Sequence, residues 1–132
     1  MAWFFEDQAD VYSEIILDHL NQNTAWVPAL WSYEVANVLL SYGRRKKISP
    51  AGTLEFFRLL RDLPIKVVYP MAWNPGGEPW ELWLSLGREY RLSAYDAAYL
   101  ELAMSRGLPI ATRDQDLRKA ARRAGVKIFE GA

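Results

Sequence analysis

The sequence of 132 residues predicts an α/β fold in which a mostly parallel sheet lies between two layers of helices, a three-layer α/β/α sandwich. Four short apolar segments have the length of strands, and they lie at residues 25–28, 65–69, 109–112 and 126–129. Helical patterns separate them, and this alternation is typical of strands that run parallel. The segment at 108–112 is apolar without alternation, as in a strand covered on both faces. Four strands make a small sheet.

Composition limits the classes to which the chain can belong. With 51% hydrophobic and 14% aromatic residues, residues 1–132 are expected to fold as one domain around a single core. No apolar run reaches the roughly 18–20 residues of a membrane span, and the N-terminus lacks the basic region of a signal peptide. The absence of cysteine excludes disulfides and thiolate metal sites and fits a cytoplasmic protein. The single histidine, His19, leaves little room for histidine-based zinc chemistry.

Charge is distributed unevenly although the formal net charge is zero. Residues 1–43 carry six acids and no Lys or Arg, a net charge of −6, and residues 44–132 carry +6. This asymmetry permits a polyanionic partner or a contact between an acidic and a basic part of the protein, and it does not choose between them.

The N-terminal third contains the first acid of interest. After the apolar start at 1–5, residues 10–20 have helical spacing, 25–28 form a strand, and 30–40 form a helix with one broad apolar side. Glu34 lies on the flank of that side, about 60° from its centre. Glu34 either reaches solvent, or it is held by hydrogen bonds or a cation, because a buried carboxylate without partners costs stability.

The middle of the chain supplies two helices and a strand. The bases at 44–47 close the preceding helix, where the helix dipole favours them; the alternative is a patch that contacts phosphates. Ser49 and Pro50 begin the next helix, for which we predict a buried stripe of Leu54, Phe57 and Leu60. A strand at 65–69, a loop at 71–79 and a helix at 81–90 follow.

Two further acids stand at predicted helix starts. Asp96 follows Ser93 at the beginning of an Ala-rich helix that continues through 97–104 and ends at Gly107. Asp114 follows the strand at 109–112, on the edge of an open α/β sheet where ligands bind. Each acid is either a plain helix cap or a catalytic or metal-binding group.

The pattern of these acids favours one kind of chemistry. Glu34, Asp96 and Asp114 all follow strands or begin helices on what should be the same edge of the sheet. The sequence has no Gly-rich phosphate loop, no Ser-His-Asp set and no cysteine nucleophile, which disfavours nucleotide binding and acyl transfer. Carboxylates without His or Cys suit a hard cation such as Mg²⁺ or Mn²⁺. Such an ion activates water and neutralises phosphate oxygens, so the pattern favours metal-assisted phosphodiester hydrolysis.

Three blocks of the sequence resemble the signature blocks of PIN-domain proteins, and most closely those of the VapC-type toxins of toxin–antitoxin pairs. They are WSYEVANVL at 31–39, LSAYDAAYLELA at 92–103 and ATRDQDL at 111–117, in the family's order and spacing. The resemblance runs over nearly the whole chain. The second block followed by the third is quite specific, whereas the first block alone would be weak.

The resemblance implies an α/β/α sandwich and a Mg²⁺- or Mn²⁺-dependent endoribonuclease, commonly a homodimer that an antitoxin protein neutralises. Glu34, Asp96 and Asp114 match the metal-site acids of the family, and Asp116 matches a further acid of some members. Thr112 matches a small hydroxyl residue before the last of the three. The bases at 44–47 or at 118–123 would then meet RNA phosphates.

One departure from the family affects this expectation. PIN domains usually begin with a strand that ends in an Asp, and Met1 falls after the matching position, so we expect an N-terminally truncated PIN-like domain. Loss of that strand would leave unpaired sheet edges, which invite dimerisation, and would remove one carboxylate. The alternative is therefore a catalytically inactive PIN-like domain that dimerises and binds a partner, which the apolar segment at 3–5 also favours. A purely structural α/β domain is the third possibility.

Overall fold

The computed structural model of the chain describes residues 23–69 and 79–130, together with Asp18 and Leu20. These residues form the strands and helices β1 (Ala25–Pro28), α1 (Leu30–Arg44), α2 (Pro50–Asp62), β2 (Ile65–Val68), α3 (Pro79–Tyr90), α4 (Ala94–Arg106) and α5 (Gln115–Arg123). β1 and β2 form a small parallel sheet. This mixed α/β architecture confirms the predicted fold class and is consistent with an α/β/α sandwich.

The chain divides into two compact units, Met1–Val67 and Val68–Ala132. The helix predicted at 10–20 lies outside the described residues apart from Asp18, which is helical, and Leu20, which is buried. The apolar start at 1–5 and the loop predicted at 71–79 also lie outside them, apart from Pro79, which is helical. No helix in the described part of the chain is long and apolar enough to cross a membrane.

In the first unit, α1 packs on β1 through the predicted apolar side. Its buried residues recur every three or four positions: Trp31, Val35, Leu39 and Tyr42. The helix continues past the predicted end at residue 40 to Arg44, and the turn that follows it contains Lys46, whose φ of 56° is left-handed. This turn allows the Lys47 N–H to donate to the Tyr42 carbonyl over 2.8 Å, so the basic residues at 44–47 do lie at the helix end.

The helix α2 begins as predicted, but its apolar stripe is not buried. The Ser49 hydroxyl accepts a hydrogen bond from the Gly52 N–H over 3.0 Å, and Pro50 is the first helical residue. The prediction of a buried stripe was wrong, because Leu54 is 53% exposed, Phe57 is 44% exposed and no residue of α2 is buried. An apolar stripe is buried only where another element covers it, and among the described residues none covers this one.

In the second unit, α3 leads into α4 through a tight turn. Arg91 has a left-handed φ of 55°, and the Leu92 N–H donates to the Gly87 carbonyl over 3.0 Å. A Cβ atom at residue 87 would lie 2.9 Å from the carbonyl oxygen of Leu92, so only glycine fits there without a backbone shift. This turn brings α3 and α4 into contact.

The helix α4 packs closely, as its alanine content predicts. Ser93 is its N-cap, and Gly107 ends it in the left-handed conformation with φ 62°. Its buried residues are mostly small, namely Ala97, Ala98, Leu100, Leu102 and Ala103. Two of them, Leu100 and Ala103, form one core cluster with residues of α5 and the segments around it, namely Ile110, Leu117, Ala120 and Ala121.

The last two predicted strands are reduced to one parallel bridge between Ile110 and Ile128. The Ile110 N–H donates to the Lys127 carbonyl over 2.9 Å, and the Phe129 N–H donates to the Ile110 carbonyl over 2.8 Å. The prediction that 108–112 is covered on both faces was wrong, because Leu108, Pro109 and Ala111 are exposed. Within the described part of this unit the segment pairs on one edge, and Pro109 has no N–H to extend the pairing.

Candidate active site

Asp114 caps the helix α5. Its Oδ1 atom accepts a hydrogen bond from the Leu117 N–H over 2.8 Å, which satisfies one of the free donors of the first turn. The capping interpretation is thus confirmed for Asp114. The side chain is exposed, and Oδ2 has no hydrogen bond or ion pair within the described residues. One carboxylate oxygen therefore stabilises the helix while the other is available to a ligand.

The turn before Asp114 is fixed by further hydrogen bonds. The Asp114 N–H donates to the Thr112 hydroxyl over 3.1 Å. The Nε–H of Arg118 donates to the Thr112 carbonyl over 2.6 Å, and the backbone N–H of Arg118 donates to the Asp114 carbonyl over 3.0 Å. Thr112 and Asp114, both singled out in the sequence, are therefore held in one small hydrogen-bonded turn.

Asp96 lies in the first turn of α4 and is half-buried. Its backbone N–H donates to the Ser93 hydroxyl over 3.1 Å, so the Ser93 cap predicted from the S-x-x-D pattern is confirmed. A carboxylate in this turn is favoured by the helix dipole. Asp116 stands in the equivalent turn of α5 and is exposed.

Glu34 lies in α1 between the buried residues Trp31 and Val35, and its own side chain is half-buried. This confirms the predicted flank position. Glu34 belongs to the first unit, whereas Asp96, Asp114 and Asp116 belong to the second.

Within the second unit, Asp96 and Asp114 begin two helices that contribute to the same core cluster. In the described part of either unit, no three Asp, Glu or His side chains stand close enough to hold a metal ion. The donor chemistry nevertheless suits a hard cation, because exposed and half-buried carboxylates are the ligands that Mg²⁺ and Mn²⁺ prefer.

Glu101 is a half-buried acid that the sequence reasoning did not single out. Burial raises the pKa of its carboxyl group above the ordinary value. It lies five residues after Asp96, which places it about 140° away around the helix. We therefore assign Glu101 to helix packing rather than to the Asp96 site.

The two basic segments differ in how their side chains are engaged. The residues at 44–47 are exposed, and Arg45 and Lys47 lie over the Tyr42 ring at 4.8 and 5.6 Å from its centroid. In the segment at 118–123, Arg118 turns inward to Thr112, and Arg123 lies over the Tyr90 ring at 5.3 Å. By its position in the sequence Arg118 belongs with the surface bases of this segment, since no local pattern marks its inward direction.

An open depression of about 590 Å³ runs along α3. It is lined by Trp80, Glu81, Leu84, Ser85, Arg88 and Glu89. None of the predicted site acids borders it, so we do not assign the active site to it.

Comparison with known proteins agrees with this architecture. A family model for the PIN domain matches residues 1–123. Among solved structures, the chain is similar to the crystal structure of PAE2754 from Pyrobaculum aerophilum, with a TM-score of 0.61 and 23% sequence identity over 81% of this chain and 67% of that chain. At this identity the likeness concerns the fold. No curated protein matches the chain.

Proposed function

This chain belongs to the PIN domain family, and on that premise we propose that it is an endoribonuclease that hydrolyses RNA phosphodiester bonds with the help of Mg²⁺ or Mn²⁺. PIN domains are generally metal-dependent nucleases. The observation that carries the proposal for this chain is the placement of Asp96 and Asp114 at the starts of two helices that share one core, Asp96 in the first turn of α4 and Asp114 as the N-cap of α5. Rigid helix starts hold carboxylates more precisely than flexible loops do.

The proposed metal ligands are Glu34, Asp96 and Asp114, with Asp116 as a further acid. When bound, a divalent cation supplies an activated water and neutralises charge on the phosphate. Asp114 suits a ligand role because its Oδ1 atom is fixed by the Leu117 N–H while Oδ2 is available. Asp96 is half-buried at a capped helix start, and the Ser93 cap limits the positions that its backbone can adopt.

The proposed contact with RNA phosphates is the basic segment at 44–47. Its four consecutive cations are exposed, and exposed Lys and Arg bind phosphates without sequence preference. We prefer it to the segment at 118–123, because Arg118 is engaged with the Thr112 carbonyl.

We further propose that the protein is the toxin of a toxin–antitoxin pair, acts in the cytoplasm as a homodimer, and is neutralised by an antitoxin protein. These features rest on the VapC-like blocks of the sequence. The absence of cysteine is compatible with a reducing compartment.

Cleavage of RNA by the purified chain tests the proposal. We expect cleavage with Mn²⁺ or Mg²⁺, none with EDTA, and a loss of at least about 100-fold in Asp96→Asn and Asp114→Asn. Asparagine caps a helix as well as aspartate does, so Asp114→Asn should retain the parent's unfolding midpoint, whereas Asp114→Ala should lose about 1 kcal/mol of stability as well as activity. Glu55→Gln, an exposed acid of α2, is the control that should remain active.

Undiminished cleavage by Asp96→Asn and Asp114→Asn would refute the assignment of these residues. If the folded parent cleaves no RNA with any divalent cation, the proposal that it is a ribonuclease is refuted.

One observation favours a second function, a partner-binding module without catalysis. The apolar side chains of Leu54, Phe57 and Leu59 on α2 are exposed, and apolar surface of this kind often marks an interface. In that case the parent should form a concentration-dependent dimer or complex in light scattering while no metal supports cleavage, and Phe57→Asn should weaken the association. A parent that stays monomeric would exclude self-association through this face.

A further inference from the structure

Arg118 differs from the other bases of α5 in the direction of its side chain. Its side chain is 15% exposed, and its Nε–H donates to the Thr112 carbonyl over 2.6 Å. The next residue, Lys119, is exposed. A guanidinium N–H that donates to a carbonyl oxygen makes a charge-assisted hydrogen bond, which is stronger than a bond between neutral groups.

Arg118 binds the turn that carries Asp114 at two points. Its side chain donates to the Thr112 carbonyl, and its backbone N–H donates to the Asp114 carbonyl over 3.0 Å, in the i to i−4 bond that any non-proline residue at this position would make. Between these points the Asp114 N–H donates to the Thr112 hydroxyl. The Leu117 N–H then orients the Asp114 carboxylate through Oδ1. The backbone position of Asp114 and the direction of its carboxylate are therefore both tied to the first turn of α5.

The ion pair of Arg118 with Glu130 does not explain this arrangement. The Nη1 atom of Arg118 and the Oε1 atom of Glu130 are 3.8 Å apart, and the Glu130 side chain is 64% exposed. A long contact with an exposed partner contributes about 0–1 kcal/mol. The bond to Thr112, at 2.6 Å, is the shorter of these two contacts and joins Arg118 to the turn that carries Asp114.

We propose that Arg118 is a positioning residue, which holds the Thr112–Asp114 turn so that the Asp114 carboxylate is preorganised for a divalent cation. The part of this inference that concerns metal binding rests on the proposed function. The part that concerns the position of the turn rests on its hydrogen bonds. Residues that orient a metal ligand typically change metal affinity by 10- to 100-fold when they are replaced. An arginine that served only the general stability of the fold would leave the metal affinity of the folded protein unchanged.

The experiment compares the full-length parent with Arg118→Met, Arg118→Lys and Lys119→Met. Methionine retains an unbranched apolar side chain and removes the donor, lysine retains the charge without the Nε–H donor, and Lys119→Met removes the neighbouring exposed cation. Mn²⁺ affinity is measured by electron paramagnetic resonance under conditions in which circular dichroism shows every variant to be folded. Amide hydrogen exchange of Asp114 and Leu117 is measured without metal.

We expect Arg118→Met to weaken Mn²⁺ binding by about 10-fold or more and to speed exchange at Asp114 and Leu117 by at least as much. Exchange in the middle of α4 should change less. The Mn²⁺ affinity and the exchange rates of Arg118→Lys should lie between those of the parent and Arg118→Met. If the methionine variant does not fold, the lysine variant is compared with the parent instead. Lys119→Met should bind Mn²⁺ within twofold of the parent.

Two results would overturn the inference, and a third separates it from the proposed function. Equal Mn²⁺ affinity in parent and Arg118→Met would refute the positioning of a metal ligand. Equal amide exchange at Asp114 and Leu117 in parent and Arg118→Met would refute the claim that Arg118 holds the turn. If the parent itself binds no Mn²⁺ and cleaves no RNA, the proposed function fails, while faster exchange in Arg118→Met would still support the hold on the turn.

Discussion

Asp114 shows how one carboxylate can serve two purposes in this protein. Helix capping occupies Oδ1, and an N-cap is worth about 1 kcal/mol. The same bond fixes the orientation of the side chain and leaves Oδ2 for a ligand. Capping and metal binding, which are alternatives in the sequence, are therefore compatible at Asp114.

Glu101 provides a test at the scale of one residue. Because burial raises its pKa, the folded protein holds this proton more tightly than the unfolded chain does. The stability associated with Glu101 is then greatest at low pH and falls as pH rises from the ordinary glutamate pKa through the raised one. Above the raised pKa the carboxylate is ionised at a desolvation cost.

We expect Glu101→Gln to unfold at a higher urea concentration than the parent at neutral pH, and this gain to shrink as the pH is lowered. Urea midpoints measured over a pH series provide the test. Glu89→Gln, which changes an exposed acid of α3, is the matched control and should change the midpoint little at any pH. A pH-independent effect of Glu101→Gln would contradict the assignment to burial.

The helices of this protein differ in how closely neighbouring atoms approach them. Gly43 and Gly87 show the two extremes. A Cβ atom at Gly43 in α1 would meet nothing within 4 Å, whereas one at Gly87 in α3 would lie 2.9 Å from the Leu92 carbonyl oxygen. The first glycine only weakens its helix, while the second permits the turn between α3 and α4.

We expect Gly43→Ala to raise the free energy of unfolding by up to about 1 kcal/mol, because alanine is the better helix former. Gly87→Ala should lower it by about 1–3 kcal/mol, because the added methyl group meets a backbone atom. Thermal or urea unfolding of both variants measures the difference. If Gly87→Ala stabilises the protein as much as Gly43→Ala does, the Leu92 carbonyl does not restrict the side chain at residue 87.

At the scale of the whole molecule, charge is the property that bears on function. The net charge of −6 on residues 1–43 and the net charge of +6 on residues 44–132 cancel, so a polyanion would be attracted by local patches rather than by the protein as a whole. The exposed segment at 44–47 is the patch that we assign to RNA.

We expect binding of single-stranded RNA to weaken as salt rises, with a logarithmic slope of about −0.7 per phosphate contact. Replacing Arg44 and Lys46 together by Gln should reduce that slope by about 1.4 if both bases contact phosphates. RNA affinity is measured at each salt concentration by fluorescence anisotropy, in EDTA to prevent metal-dependent cleavage. Arg58→Gln with Arg61→Gln on α2 is the matched control, and an equal effect of both pairs would refute the assigned patch.

The sequence by itself determined those features that depend on neighbours along the chain. Helix starts at Ser49, Ser93 and Asp114 and the helix end at Gly107 were predicted, because a cap bonds to residues three or four positions away. The buried side of α1 and the flank position of Glu34 followed from helical periodicity. The acids Asp96 and Asp114 were placed at helix starts for the same local reasons.

Only the tertiary structure decided features that depend on residues distant in the sequence. The stripe of α2 has the spacing of a buried face, yet burial requires an element to cover it. The segment at 108–112 is apolar enough for a central strand, yet among the described residues it pairs only through the bridge between Ile110 and Ile128. A central strand requires a partner strand at each edge. The inward direction of Arg118 was not predicted either, because its Nε–H donates to the Thr112 carbonyl, which lies six residues earlier and outside the helix. Periodicity and composition describe what a side chain can do, and the surrounding elements determine which of those possibilities is realised.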